Sequence, residues 1–491
     1  MSSVRAPPVP STASFGNCGS LNSCARSSSA TPKHPTEAAV QSDKINNGAR
    51  SLAAKALDEI ERRGAYADQY LDGLFRRERA LDPRERGLVT ALVYGVLRRR
   101  NLLDAAIKNA YQRPLKKLHP ALLTILRTGA FQLLYFDRIP APVAVSETVE
   151  LAARSGHAKA RGLVNALMRK ISSVGMDFPR PEGFDERTGL ETGFPAWLVG
   201  HWRLQEGEEG AKLMAETFGA VPPVFLRVDT RKISREEALT SLGETKEYGP
   251  GEYSPQGIWL CGGGDLRELE LLKKGLAVAQ GQASQLVSLL LAPAPGWRIL
   301  DACAAPGIKA THLASLMEDR GEIVALDIHP GRVSMIGELA GKLELRSIKP
   351  VLSDAALYKD ENPFDAVLVD APCSGLGVLA HNPEKRWRLT PAELAGFPPL
   401  QERILANTAK MVKPGGILVY ATCTTAREEN EEAVKAFLKE NPAFSVESAA
   451  GFISPRLVTK EGFVRTFPRP PASSPGGYLE GFFAARMRRS Q

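Results

Sequence analysis

None of the six cysteines, Cys18, Cys24, Cys261, Cys303, Cys373 and Cys423, forms a C-x-x-C pair. That excludes a zinc ribbon and argues against a disulfide framework, so no metal is expected and a reducing, cytoplasmic compartment is. No apolar run approaches the ~20 residues that a helix needs to cross a bilayer, which predicts a chain that stays out of membranes. Neither sign of charge dominates: 63 basic against 55 acidic residues leave a net charge of +8, a mild excess that suits an RNA partner and also an ordinary basic protein. What is present is apolar content. At 43% hydrophobic over 491 residues, the chain can build about two to four domains with real cores.

The stretch around which the rest is organised runs from Trp297 to Leu313. A short apolar run ends at Leu300-Asp301, a loop of small residues follows through Pro306 and Gly307, and a helical pattern starts at Lys309. Strand, tight turn and helix in that order predict the first unit of a doubly wound α/β domain, whose ligand lies outside the carboxyl ends of the strands. This turn lacks the Gly-x-Gly-x-x-Gly of a dinucleotide site and the Lys-Ser/Thr pair of a phosphate-binding loop. A nucleoside ligand without phosphates, S-adenosylmethionine, fits such a turn.

Two further acids extend the pattern. Glu322-Ile-Val-Ala-Leu-Asp327 is a second strand ending in a carboxylate, placed where one grips ribose hydroxyls, and Lys349-Pro-Val-Leu-Ser-Asp354 puts another after a third apolar run, within reach of an adenine amino group. The next strands carry chemistry. Phe364-Asp-Ala-Val-Leu-Val-Asp370 is nearly all apolar, as a strand buried on both faces should be, and leads into Ala371-Pro372-Cys373-Ser374-Gly375. Gly415-Gly-Ile-Leu-Val-Tyr-Ala-Thr-Cys423 repeats the design, so Cys373 and Cys423 are expected on neighbouring strand ends facing the same crevice.

The motifs Asp301-Ala-Cys303-Ala304-Ala305-Pro306-Gly307-Ile308-Lys309, Asp370-Ala-Pro-Cys373-Ser-Gly and Tyr420-Ala-Thr-Cys423 with Glu428-Glu429-Asn430 resemble those of the NOL1/NOP2/Sun family of RNA (cytosine-C5) methyltransferases. Leu52-Ala-Ala-Lys-Ala-Leu57, Glu85-Arg-Gly-Leu-Val-Thr90 and Gly162-Leu-Val-Asn-Ala-Leu-Met-Arg169 resemble the NusB-like domain fused to its RsmB/Sun branch. The resemblance implies S-adenosylmethionine as methyl donor, held by residues 303–309 with Asp327, Asp354 and Asp370, and a cytosine of 16S ribosomal RNA as acceptor. A transfer RNA substrate, or an inert RNA-binding assembly factor, stays open.

The residues supply the chemical logic. C5 of cytosine is a poor nucleophile until a thiolate adds at C6, and a thiol with a free pKa near ~8.5 needs nearby positive charge or donors to ionise. Lys309 is one candidate charge, although a surface lysine is the commoner reading. Asp370, protonated by apolar burial, is a candidate donor to N3. Spacing does not choose between the thiols. The resemblance implies that Cys423 is the nucleophile and that Cys373 assists product release. Three departures stand out: Ile308 where a second glycine is usual, Ala310 where a threonine is usual, and Ala279-Gln280-Gly281-Gln282-Ala283-Ser284, which lacks the acids usual there. A β-branched residue resists positive φ, so the turn must be built with negative φ at Ile308 or the cofactor is held less tightly.

The expected order is a disordered extension over 1–45, a NusB-like helical RNA-binding domain over 46–172, a linker over 173–192, a small αβ RNA-positioning subdomain over 193–275 and a Rossmann-like methyltransferase domain over 276–491. A monomer is expected. Arg98-Arg99-Arg100, Arg227 and Arg231 are candidate phosphate contacts, and Trp387 is a candidate platform for a flipped base, each against a plain structural role.

Overall fold

The computed structural model describes residues 48–243, 247–261, 266–467 and 475–491; the extension expected over 1–45 lies outside them. Six helices form the amino-terminal bundle: α1 (Ala49–Arg63), α2 (Ala67–Arg77), α3 (Pro83–Tyr111), α4 (Pro120–Tyr135), α5 (Ala141–Ala152) and α6 (Arg161–Val174). The punctuation is local. Asp82 accepts a hydrogen bond from the Glu85 amide at 2.8 Å with Pro83 at the first helical position, and Gln112 ends the same helix in a left-handed conformation. Leu122, Ile125 and Leu126 lie buried on one face of α4, facing Leu92 and Val96 of α3 across one core.

The segment expected as a linker is partly helical: α7 (Phe184–Thr192) caps the long α8 (Ala196–Gly219). Strands β1 (Val224–Val228), β2 (Glu247–Pro250), β3 (Gly257–Cys261) and β4 (Ala277–Ala279) then make an antiparallel sheet in the order β2-β3-β1-β4, backed by α9 (Arg235–Ser241). β4 lies beyond the boundary expected at 275, because backbone pairing to β1 and not composition decides where this unit closes.

The main sheet contains β5 (Arg298–Asp301), β6 (Glu322–Asp327), β7 (Ile348–Leu352), β8 (Phe364–Asp370), β9 (Val412–Thr422), β10 (Phe444–Val446), β11 (Val464–Thr466) and β12 (Phe482–Arg489). Its order is β10-β12-β9-β8-β5-β6-β7, with β11 beside β12. β7-β6-β5-β8-β9 are parallel, and β12 enters antiparallel to β9, as the Rossmann-like reading requires. On one face the core holds α10 (Gln282–Leu291), α11 (Ile308–Leu316) and α12 (Pro330–Lys342); on the other it holds α13 (Phe397–Ala409) and α14 (Glu431–Glu440). The order reverses between β5 and β8, and the crevice opens there, at the carboxyl ends of the strands. Among the described residues no helix is long and apolar enough to cross a membrane.

A short segment after β8 fastens the helical units to this domain, beside the ion pairs of Glu206 with Arg427 and Arg465 at 2.9 and 3.0 Å. Arg386 is fully buried and donates to the carbonyls of Gly193, Phe218 and Leu379 at 3.0, 3.1 and 2.9 Å, its guanidinium 3.9 Å from the Phe194 ring centroid. Trp387 Nε1 donates to the Leu97 carbonyl at 2.6 Å, and Arg388 donates to the carbonyls of Ile60 and Gly64 at 2.8 and 2.7 Å and to that of Ala65.

Several expected contacts with nucleic acid are therefore internal. Trp387 is pinned against α3 by the Leu97 carbonyl and by the Arg100 guanidinium 5.5 Å from its ring, and is no free stacking platform. Arg98 and Arg99 donate to the Ala380 and Glu191 carbonyls at 3.1 and 3.2 Å, because α3 continues through the triplet with only a kink at Arg99. Arg227 is buried against Thr311 at 3.1 Å, and Arg231 closes on Asp229 at 2.5 Å. Arg98, Arg99 and Arg227 meet a carbonyl or hydroxyl that chain order could not place beside them, whereas Arg231 pairs with Asp229 two residues away and also donates to the Leu343 carbonyl at 3.2 Å.

Candidate active site

The turn after β5 is built from small residues for a visible reason. The Ala304 amide donates to the Leu326 carbonyl at 2.8 Å and the Gly307 amide to the Ala304 carbonyl at 2.7 Å, folding the loop onto the neighbouring strand. Gly307 takes φ +100°, and a Cβ there would stand 3.2 Å from the Ile336 backbone. The left-handed position is thus filled by a glycine. Ile308 is the first residue of α11 and keeps negative φ, so the departure at Ile308 leaves the turn intact.

The acids converge on this turn. Burial first, and then the charges of Asp301, Asp370, Asp327 and Asp354, push the Cys303 thiol far up. Asp327 and Asp354 end their strands in turns, accepting from the His329 and Ala356 amides at 2.9 and 2.8 Å. Asp301 is fully buried with neither oxygen met by a side chain; burial, then the charge of Asp370, push its carboxyl up to about 7. A crevice lined by carboxylates, with close backbone approach at Ala304–Gly307 and no arrangement for phosphates, fits a cationic sulfonium nucleoside.

The thiols meet as the strand register dictates. β8 and β9 are parallel with Asp370 opposite Ala421, so each cysteine follows its strand by a few residues, and Sγ of Cys373 lies 3.3 Å from Sγ of Cys423. The pair is asymmetric. The hydrogen bond from Cys373, with help from Lys385 and Lys309, holds the Cys423 thiol below its ordinary value against burial and Asp370; the same contact, burial and Glu429 drive Cys373 well up.

Lys309 is not the surface lysine of the commoner reading. Its ammonium is 2.6 Å from Asp370 Oδ2 and over the Phe482 ring. Burial alone would neutralise it, but Asp370, then Cys423 and Asp301, outweigh burial and keep its pKa raised. Asp370, expected as an isolated carboxyl in apolar surroundings, is instead ion-paired.

Sequence reasoning missed the parts that hold the thiol loops. Glu429 accepts from the Ser374 amide at 2.9 Å and from its hydroxyl, while Gln401 donates to Glu429 at 2.8 Å and to the Pro372 carbonyl at 3.0 Å. The Gly377 amide donates to the Cys423 carbonyl, and the Gly481 amide to the Gly377 carbonyl, both at 2.9 Å. The charged run Glu384-Lys385-Arg386-Trp387-Arg388, so soon after Cys373, was the available signal for Lys385. Among the described residues no cluster of three or more His, Cys, Asp or Glu could hold a metal.

Three family models match successive parts of the chain: the NusB family at 47–173, a ferredoxin-like domain of RsmF/B-like methyltransferases at 194–267, and 16S rRNA methyltransferase RsmB/F at 288–488. The probable ribosomal RNA small subunit methyltransferase B of Bacillus subtilis (strain 168) is 33% identical over 449 residues, covering 90% of this chain and 98% of its own. Ribosomal RNA small subunit methyltransferase B of Pseudomonas putida is 33% identical over 83% of this chain and 91% of its own. The crystal structure of PH0851 superposes with a TM-score of 0.75 at 26% identity, over 89% of this chain and 97% of that one.

Proposed function

Because the chain belongs to the 16S rRNA methyltransferase RsmB/F family, whose members use S-adenosylmethionine, we propose that it methylates C5 of a cytidine in 16S rRNA through a covalent bond between Cys423 and C6. The carrying observation is the 3.3 Å approach of Cys373 and Cys423 beside the Lys309–Asp370 pair. Residues 303–309 with Asp327, Asp354 and Asp370 are assigned to the cofactor, which when bound supplies an electrophilic methyl group to C5. The domain division follows the same reading: helical bundle and small sheet for RNA, main sheet for chemistry.

The residues divide the work as their surroundings dictate. The Cys423 thiolate adds to C6 as the base, taken out of its stack, enters the crevice. Negative charge develops at N3, where a proton held between Lys309 and Asp370 is delivered, leaving C5 an enamine carbon. Once C5 carries the methyl group, a base takes its proton, the N3 proton returns to the Lys309–Asp370 pair, and the bond from C6 to sulfur breaks. The electron pair returns to Cys423, and the Cys373 S–H stabilises the departing thiolate. The test is bisulfite sequencing of 16S rRNA from a strain lacking this gene, complemented with the parent or with Cys423→Ala. A protected cytidine should vanish and return only with the parent. An unchanged 16S pattern, or loss of a cytidine in transfer RNA instead, would sink the assignment.

A further inference from the structure

Two lysines face the thiol pair, and they differ in one respect. Lys309 is matched by Asp370 at 2.6 Å. The Lys385 ammonium has no hydrogen bond and no ion pair among the described residues. Its ammonium lies against the turn that carries Cys373: a Cβ on Gly375, at φ +70°, would come within 2.6 Å of Lys385 Nζ. Only glycine leaves that space. On its other side is the Tyr66 ring, 5.7 Å away, which belongs to the junction between α1 and α2 of the amino-terminal bundle.

That junction is fastened to the lysine's own segment. Arg388 donates to the carbonyls of Ile60, Gly64 and Ala65 on one side of Tyr66, and the Ala67 amide on the other side donates to Glu384 at 3.4 Å. Lys385 is therefore held between a catalytic turn of one domain and an aromatic face of another, by contacts flanking it in both chains. We propose that Lys385 is the positive charge that keeps Cys423 ionised, and that the helical bundle completes the active site by closing Tyr66 over it. This rests on Cys423 as nucleophile and gives the bundle a part in chemistry beyond any part in RNA binding.

The charges around the pair are consistent with this role. Cys423 is faced by Cys373, Lys385, Asp370 and Lys309, with Lys385 the first of the two lysines in effect. Cys373 is faced by Cys423, Glu429 and Lys385. Lys385 is faced by both thiols, Tyr66 and Glu384, all of which favour its charged form against burial. Asp370 is paired with Lys309, so among the described residues Lys385 is the lysine near the sulfurs that no carboxylate ion-pairs.

The test is alkylation of Cys423 by iodoacetamide in the full-length protein, followed by peptide mass spectrometry from pH 5.5 to 9.5, with neither RNA nor cofactor present. Lys385→Met should raise the midpoint by about one pH unit, a tenfold loss of thiolate below both midpoints. Lys385→Arg should restore it, Tyr66→Phe should leave it alone, and Tyr66→Ala should move it the same way as Lys385→Met but less. A folded Lys385→Met protein with the parent's midpoint overturns the proposal, as does an equal shift in Lys385→Arg. Should Lys385→Met fail to fold, an unmoved midpoint in Tyr66→Ala overturns it equally. Failure here would leave the methylation reading standing, and a Lys385-dependent midpoint in a protein that methylates no RNA would sink that reading alone.

Discussion

Replacing Cys373 by alanine gives the sharpest prediction. With the sulfurs 3.3 Å apart, Cys373 is the largest influence holding the Cys423 thiol down. Hydrogen bonds to charged groups contribute about 1.5–3 kcal/mol, and because S–H is a weak donor the lower end applies. At 1.36 kcal/mol per unit, the Cys423 midpoint should rise by about one pH unit. The same energy is missing when the thiolate leaves C6, so breaking that bond slows about tenfold and the RNA adduct accumulates. The assay is a denaturing gel of protein mixed with 16S rRNA and cofactor across pH 6 to 9. Cys373→Ala should show a stable protein–RNA band whose formation midpoint lies about one unit above the parent's alkylation midpoint. Cys373→Ser, whose hydroxyl still donates, should sit near the parent. Cys423→Ala should show no band. A band with Cys423→Ala would reverse the two roles, and an unmoved midpoint in Cys373→Ala would refute the hydrogen bond as its cause.

Asp370→Asn removes the partner of a buried ammonium and the group that hands a proton to N3, so single-turnover methylation should fall by about a hundredfold or more; a loss under tenfold would clear Asp370 of proton transfer. Arg386→Met orphans three buried carbonyls at a cost of about 1 kcal/mol or more each. Urea unfolding should show at least ~3 kcal/mol lost, and a loss below ~1 kcal/mol would mean the segment is not the lock it is taken for. His312 is buried, donates from Nε2 to Gln256 Oε1 at 2.5 Å, and is held neutral first by burial and then by Arg227, far below its ordinary 6.5. The unfolded chain takes up that proton as pH falls below 6.5 while the native state does not, so this residue's contribution is full above 6.5 and declines below it, at up to ~1.4 kcal/mol per unit. The parent should therefore lose stability relative to His312→Gln between pH 7 and 5, and parallel curves would refute the burial argument.

Wherever the chemistry is local, the sequence alone determined the outcome. Alternating strand and helix patterns specify a parallel sheet, and small residues at Ala304–Gly307 specify a turn that a nucleoside can approach. Acids and cysteines at strand ends specify one crevice, because every parallel strand delivers its last residue to the same edge. Side chains with long reach were another matter. By sequence, Arg98, Arg227, Arg231 and Trp387 are candidate RNA contacts weighed against a plain structural role, and the fold uses each internally, since a guanidinium or indole is satisfied by any carbonyl, hydroxyl or carboxylate near it. Only the assembled structure paired Lys309 with Asp370, fixed Glu429 under Ser374, and set Tyr66 against Lys385, 319 residues apart in the chain by their numbers (385 − 66). The unlike surroundings of the two thiols also come from tertiary structure, because Lys385, Lys309, Asp370 and Glu429 reach them from four separate elements.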